Sequence, residues 1–108
     1  MVTKGLVVSL DAKPGKEQEL QQFLVDALPL VEREGETIAW LAFRSGASSF
    51  AIVDAFPDEA GRMAHLQGEV AEGLIARAGE LLEHPPAVEP VEVVAAKLPG
   101  AGGGRAGV

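Results

Sequence analysis

No cysteine occurs anywhere in the 108 residues, which excludes disulfides, thiolate metal sites and a cysteine nucleophile and suits a reducing cytosol. Aromatic residues are scarce at 5 %, while 47 % of the chain is hydrophobic, so the core must be built mainly from Ala, Val and Leu. Basic residues are also few. Nine Lys and Arg against sixteen Asp and Glu give a net charge of −7, a field that repels the phosphates of nucleic acids and of anionic membranes. No apolar run approaches the roughly eighteen residues a membrane helix needs, and Met1 to Gly5 reads as the lead into a strand rather than as a secretory leader. The expectation is a soluble, cytoplasmic, single domain with no nucleic-acid or membrane partner.

Val2 to Leu10 reads as a strand with apolar groups on both faces, broken at Lys13-Pro14-Gly15. A helix follows from about Lys16, with Leu20, Phe23, Leu24, Ala27 and Val31 at helical spacing. Pro29 is expected to kink or restart it and Gly35 to end it. Thr37 to Arg44 and Phe50 to Phe56 read as an antiparallel hairpin turning through Ser45 to Ser48. Asp58 is placed to cap the next helix, Gly68 to divide it, and Glu69 to Leu82 to continue as a second helical piece stopped by Pro85-Pro86. The last strand is read over Val88 to Lys97, with Pro90 favouring an edge position. The order β-α-β-β-α-β is an α+β, ferredoxin-like pattern with an antiparallel sheet and helices on one face. Residues 1–98 form the domain, and 99–108, with five glycines, a flexible tail.

In such a sandwich the face without helices should be polar if the chain works alone. Here every strand leaves apolar residues on both sides, which predicts a homodimer packed through the sheet face.

Three stretches carry a further signal. Lys13-Pro14-Gly15-Lys16 opens the first helix, Gly35-Glu36-Thr37-Ile38-Ala39-Trp40 enters the second strand, and Phe56-Pro57-Asp58-Glu59-Ala60-Gly61-Arg62-Met63-Ala64-His65-Leu66 leaves the third. In order and spacing, residues 1 to 98 resemble the antibiotic biosynthesis monooxygenase family, small proteins that form dimeric α+β barrels. The resemblance implies a cavity between sheet and helices, and oxidation of aromatic polyketides or quinols by molecular oxygen with no metal or flavin; a related branch degrades haem. The chain departs from the family in having no Asn and no Tyr, which polyketide-oxidising members use in their sites. His65 falls where the haem branch has a tryptophan, Ile75 near its histidine, and Val70 where some quinol-type members have a second histidine.

His65 is the leading catalytic candidate, a base for a phenol or quinol proton, since imidazole titrates near neutrality. The plain alternative is a half-buried structural histidine. Trp40 is the second candidate, able to wall a flat ligand or to serve as core. Candidate substrate contacts are Arg44, Phe23, Arg62 and Leu66. Arg62 lies three residues before His65 and could meet an oxyanion, or be a solvated helix-face arginine. Arg44 shares a face with Trp40. Asp54 joins that face only if the hairpin loop holds an odd number of residues, and could then pair with Arg44 or orient a ring nitrogen. His84, beside Pro85-Pro86, reads as a surface residue without a partner. No phosphate loop, nucleophile elbow or metal-spaced histidine pair occurs, and no cofactor is expected. These readings point to a cofactor-independent monooxygenase acting on a quinol or aromatic small molecule; the alternative is a non-catalytic domain that binds a small hydrophobic ligand or a partner.

Overall fold

The computed structural model describes residues 1–99. Their elements are β1 (Lys4–Asp11), α1 (Glu17–Glu32), β2 (Ala39–Arg44), β3 (Ser49–Phe56), α2 (Glu59–Leu66), α3 (Glu69–Leu81) and β4 (Ala87–Glu92). The strands form one antiparallel sheet in the order β2-β3-β1-β4, the ferredoxin-like arrangement expected, and in the single chain that sheet is open rather than closed into a barrel. The expected tail lies outside the described residues apart from Pro99. Among the described residues no helix is long and apolar enough to cross a membrane.

Local chemistry accounts for the turns. Lys13 to Lys16 closes as a β-turn, Lys16 N–H donating to the Lys13 carbonyl at 2.9 Å, with Pro14 at its second position. Gly15 supplies the third at φ +85°, a conformation side chains rarely adopt. Asp58 caps α2, its carboxylate accepting from Gly61 N–H at 2.9 Å. Gly68 divides α2 from α3, and its bare Cα has a second use: a Cβ there would come within 3.1 Å of the Glu34 carboxylate.

Three expectations are corrected. Pro29 neither kinks nor restarts α1, which runs unbroken from Glu17 to Glu32. Proline forfeits one backbone bond there, and burial of Ala27 and Val31 on the same helix holds the turn together. Gly35 does not end it either; Arg33 and Glu34 N–H groups close the helix on the Leu30 and Val31 carbonyls. The last strand stops at Glu92, which pairs with Lys4 at the start of β1, because beyond that point β1 offers no further partner residues. After one more bond from Val93 N–H to Thr3, the chain leaves the sheet and Val94 stands in solvent.

Every second strand residue faces the helices. Leu6, Val8, Leu10, Phe50 and Ile52 meet Leu20, Leu24, Leu74 and Leu81 in one cluster, while Ala27, Val31 and Val70 form a second; Trp40 touches both. The bare face carries Leu41, Phe43, Ala51 and Val53 on β2 and β3, but Ser9 and Glu89 interrupt it on β1 and β4. Its apolar character is thus concentrated at one side rather than spread over all four strands.

Candidate active site

The hairpin loop decides the site. Arg44 pairs with Phe50, leaving five residues in the loop, and Ser45 N–H donates to the Ser49 carbonyl at 2.9 Å. Odd parity puts Asp54 on the covered face, directly opposite Trp40 on one side and Leu6 on the other. Asp54 is 2 % exposed. Its neighbour is not Arg44, which lies four residues further along β2, but His65, in the last turn of α2.

His65 is buried between two carboxylates. Nδ1 lies 2.5 Å from Glu34 Oε1, and Nε2 lies 3.2 Å from Asp54 Oδ2. Thr37 Oγ1 donates to the same Glu34 oxygen at 2.8 Å and so fixes that carboxylate against the ring. The Phe56 ring, fully buried, packs 5.4 Å from the imidazole centroid. The Asp54 approach is an ion pair at the long end of hydrogen-bond distance, and among the described residues neither Asp54 oxygen makes a well-formed hydrogen bond. Burial by itself would lower the His65 pKa, but the flanking carboxylates of Asp54 and Glu34 outweigh it and raise the pKa above 6.5. The ring therefore holds its proton more tightly than a free imidazole does, with a carboxylate facing each of its nitrogens.

Asp54 and His65, but not Glu34, form part of the wall of an apolar cavity of about 110 Å³. Leu6, Val8, Ile52 and Leu74 line it beside Asp54 and His65, and Leu66, Ile75 and Val88 form a partly exposed apolar rim. Val70 and Ile75, the positions where the family resemblance locates further histidines, also line this cavity, so its wall there is hydrocarbon. Among the described residues no group of three or more His, Asp or Glu is placed to hold a metal ion.

Of the residues singled out from sequence, His65 and Leu66 come together here with Asp54. Trp40 and Arg44 line a separate groove of about 490 Å³ between α1 and β2, with Val25, Leu28 and Phe43. Trp40 Nε1 is buried with no acceptor among the described residues. Arg44 neither pairs with Asp54 nor simply reaches solvent; it donates to Gln18, Gln21 and the Gly46 and Ala47 carbonyls and lies over the Phe50 ring. Phe23 borders a third groove with Leu30, Val70 and Gly73. Arg62 is buried rather than solvated, and its fork is occupied by the Gly5 and Val91 carbonyls at 3.1 Å and by Glu59. It ties α2 to β1 and β4 and does not line the cavity. His84 is exposed, but it has a partner, Asp11, at 3.2 Å.

Glu34 is the member that sequence reasoning missed. It stands just beyond a helix whose last turn carries Glu32 and no basic residue. Acidic groups at a helix C-terminus oppose the macrodipole. Arg33 caps the same helix end, so the sequence carries no clear signal that Glu34 meets a ring 31 residues away.

No family model matches the chain, and no curated protein matches it. Solved structures do. A protein of unknown function from Nitrosomonas europaea, NE2512, is 52 % identical over 92 % of this chain and 96 % of its own, with a TM-score of 0.90. A Caulobacter crescentus structure named "putative antibiotic biosynthesis monooxygenase" is 16 % identical, covering 87 % of this chain and 92 % of its own at TM-score 0.76. A second protein from Nitrosomonas europaea with the same name is 12 % identical, covering 85 % and 90 % at TM-score 0.77.

Proposed function

The chain belongs to one family with the Nitrosomonas europaea protein NE2512 and has the antibiotic biosynthesis monooxygenase-like fold, and on that premise we propose that it is a cofactor-independent monooxygenase of quinols or related aromatic small molecules. The observation that carries the reading is the buried Asp54 carboxylate, with His65 at 3.2 Å as its one polar neighbour and no well-formed hydrogen bond, on the wall of an apolar cavity. A carboxylate so placed accepts the proton of a bound hydroxyl, and the imidazolium steadies the negative charge on Asp54 between turnovers. Because both ring nitrogens of His65 face carboxylates, the accepting atom is an Asp54 oxygen, and His65 with Glu34 positions it.

The electron-rich anion left behind passes an electron to dioxygen, and the radical pair joins at a ring carbon that bears hydrogen. With a proton this gives a hydroperoxide. Loss of water then leaves a carbonyl at that carbon, so one oxygen atom stays with the product and the other departs as water with two hydrogens of the substrate. We propose further that the chain works as a homodimer, the bare faces of β2 and β3 packed on a second copy; Leu41 and Phe43 are about half exposed in the single chain.

The test is oxygen consumption on a panel of quinols and phenols against a protein-free autoxidation blank. Wild-type uptake above the blank is expected, falling about a hundredfold or more in Asp54→Asn and His65→Ala, as loss of a general base does. No uptake with any substrate overturns the enzymatic reading. What then stands is a ligand-binding domain, favoured by the larger apolar groove that lies at Trp40, away from His65.

A further inference from the structure

We infer that the groove between α1 and β2 is a second ligand site, which takes a medium-chain monocarboxylate with its head group at Arg44 and its hydrocarbon tail along the groove. The inference is independent of any chemistry at His65, because the groove shares no lining residue with the cavity there.

Space is the first argument. The groove holds about 490 Å³, within the usual range of small-molecule sites, against about 110 Å³ beside His65. Leu24, Val25 and Leu28 of α1 face Leu41 and Phe43 of the edge strand β2 across it. Val25 is 58 % exposed and Leu28 45 %, hydrocarbon that the described residues leave uncovered. Gln21 to Leu28 rises about 10 Å along α1 and Trp40 to Arg44 about 13 Å along β2, a span matched by a tail of about eight to ten carbons. A second copy packed on the bare face would cover Leu41 and Phe43 but leave the α1 wall open, so it would narrow the groove without filling it.

Charge and hydrogen bonding choose the head group. The polar lining residues, Gln21 and Arg44, meet at one end of the groove, bonded to each other at 2.9 Å. Arg44 is held by neutral acceptors alone, the side chains of Gln18 and Gln21 and the Gly46 and Ala47 carbonyls, and lies over the Phe50 ring. Arg33, Arg62 and Arg77 each meet a carboxylate, whereas among the described residues Arg44 meets none. In a chain with sixteen acidic residues against nine basic, this guanidinium is fixed in place and not neutralised. One of its five N–H groups stays unused, and Gln21, whose oxygen accepts from Arg44, has no acceptor for its amide N–H groups among the described residues. A carboxylate only accepts and has one oxygen for each. An ammonium is repelled, and an alcohol gains nothing from the charge. Because Arg44 is exposed, the head group orients the ligand and burial of the tail supplies most of the affinity.

The experiment is titration of the full-length protein with decanoate, 1-decanol, decylammonium and acetate, below the concentrations at which micelles form, read from the fluorescence of Trp40, the one tryptophan in the chain and part of the groove wall. Decanoate is expected to bind saturably, one per chain. Decylammonium should bind at least tenfold more weakly, and acetate, with no tail, should leave the signal unchanged. Arg44→Gln should weaken decanoate about fivefold and leave decanol as it was, since only the head-group charge is lost. Val25→Glu places a like charge on the tail's path at an exposed helix position, and should weaken decanoate at least tenfold while circular dichroism stays as in wild type. The inference is overturned by decylammonium binding as tightly as decanoate, by wild-type decanoate affinity in either folded variant, or by no saturable binding. Decanoate affinity that falls as protein concentration rises would place a second copy in the groove and overturn it equally. Oxygen uptake at His65 and decanoate binding at Arg44 are read at different residues, so either reading can fail alone.

Discussion

The two faces of this sheet invert the usual division of polarity. The face covered by helices holds a charged trio, with Asp54 at 2 % and His65 at 7 % exposure, whereas the face open to solvent holds Leu41, Phe43 and Val53. Each face departs from what a self-sufficient single chain would show, and each departure has a different meaning. A buried carboxylate without a donor costs stability that the trio recovers only in part, so it marks a place where a ligand's donor belongs. Half-exposed Leu and Phe cost little alone; gathered on neighbouring strands they mark a place where a second surface belongs. On the proposed reading a small molecule completes the inside and a second copy the outside.

The most direct way to break this contrast is to remove the cation from the covered face. His65→Ala leaves the buried Asp54 and the partly exposed Glu34 with no counter-charge between them, and losing one member of a buried ion pair typically costs about 3–5 kcal/mol. For a domain of this size each kcal/mol is worth roughly 4–8 °C, so urea or thermal denaturation should show a large drop in stability. A loss below about 1 kcal/mol would mean that the carboxylates are solvated and the trio is not a buried unit. Changing the bare face should do the opposite. Phe43→Glu adds a charge where the side chain is already about half exposed, so the isolated chain should lose less than about 1 kcal/mol. In the proposed homodimer it would bury that charge, and sedimentation should report a shift from two chains to one at micromolar concentration. Unchanged mass would show that the apolar patch is not the contact.

The contrast between faces was only half legible in the sequence. Alternation in Ala39 to Arg44 and Phe50 to Phe56, the Pro14-Gly15 turn, the Asp58 cap and the Gly68 break all act through near neighbours, and each appears where its residues place it. The trio does not act through neighbours. Its members lie in the segment after α1, on β3 and on α2, and their meeting depends on loop parity, which a one-residue difference in the hairpin would reverse. Arg62 has the same character: three residues from His65 in sequence it looks like a partner for the same chemistry, yet its fork finds two strand carbonyls that only the docking of α2 brings near. The end of β4 was hidden for another reason. Val93, Val94 and Ala95 suit a strand in composition, but a strand ends where its partner does, and β1 begins at Lys4.

The smallest effect expected is that of withdrawing one proton from the trio instead of the whole ring. In the folded chain the His65 pKa is raised above 6.5, because the carboxylates of Asp54 and Glu34 outweigh the opposing effect of burial. Folding therefore favours the protonated ring. The stabilisation is fully present below pH 6.5, the unfolded value, and is lost as pH rises through the folded-state pKa, where both states have released the proton. Urea midpoints measured from pH 5.5 upward should fall across that window in wild type and stay flatter in His65→Gln. The other histidine, His84, stands at the surface beside Asp11 and is common to both proteins, so its contribution cancels in the difference. A steeper fall in His65→Gln than in wild type would mean that the ring is buried neutral, with the carboxylates too well solvated to hold its proton, and the covered face would then lose the charge that sets it apart from the bare one.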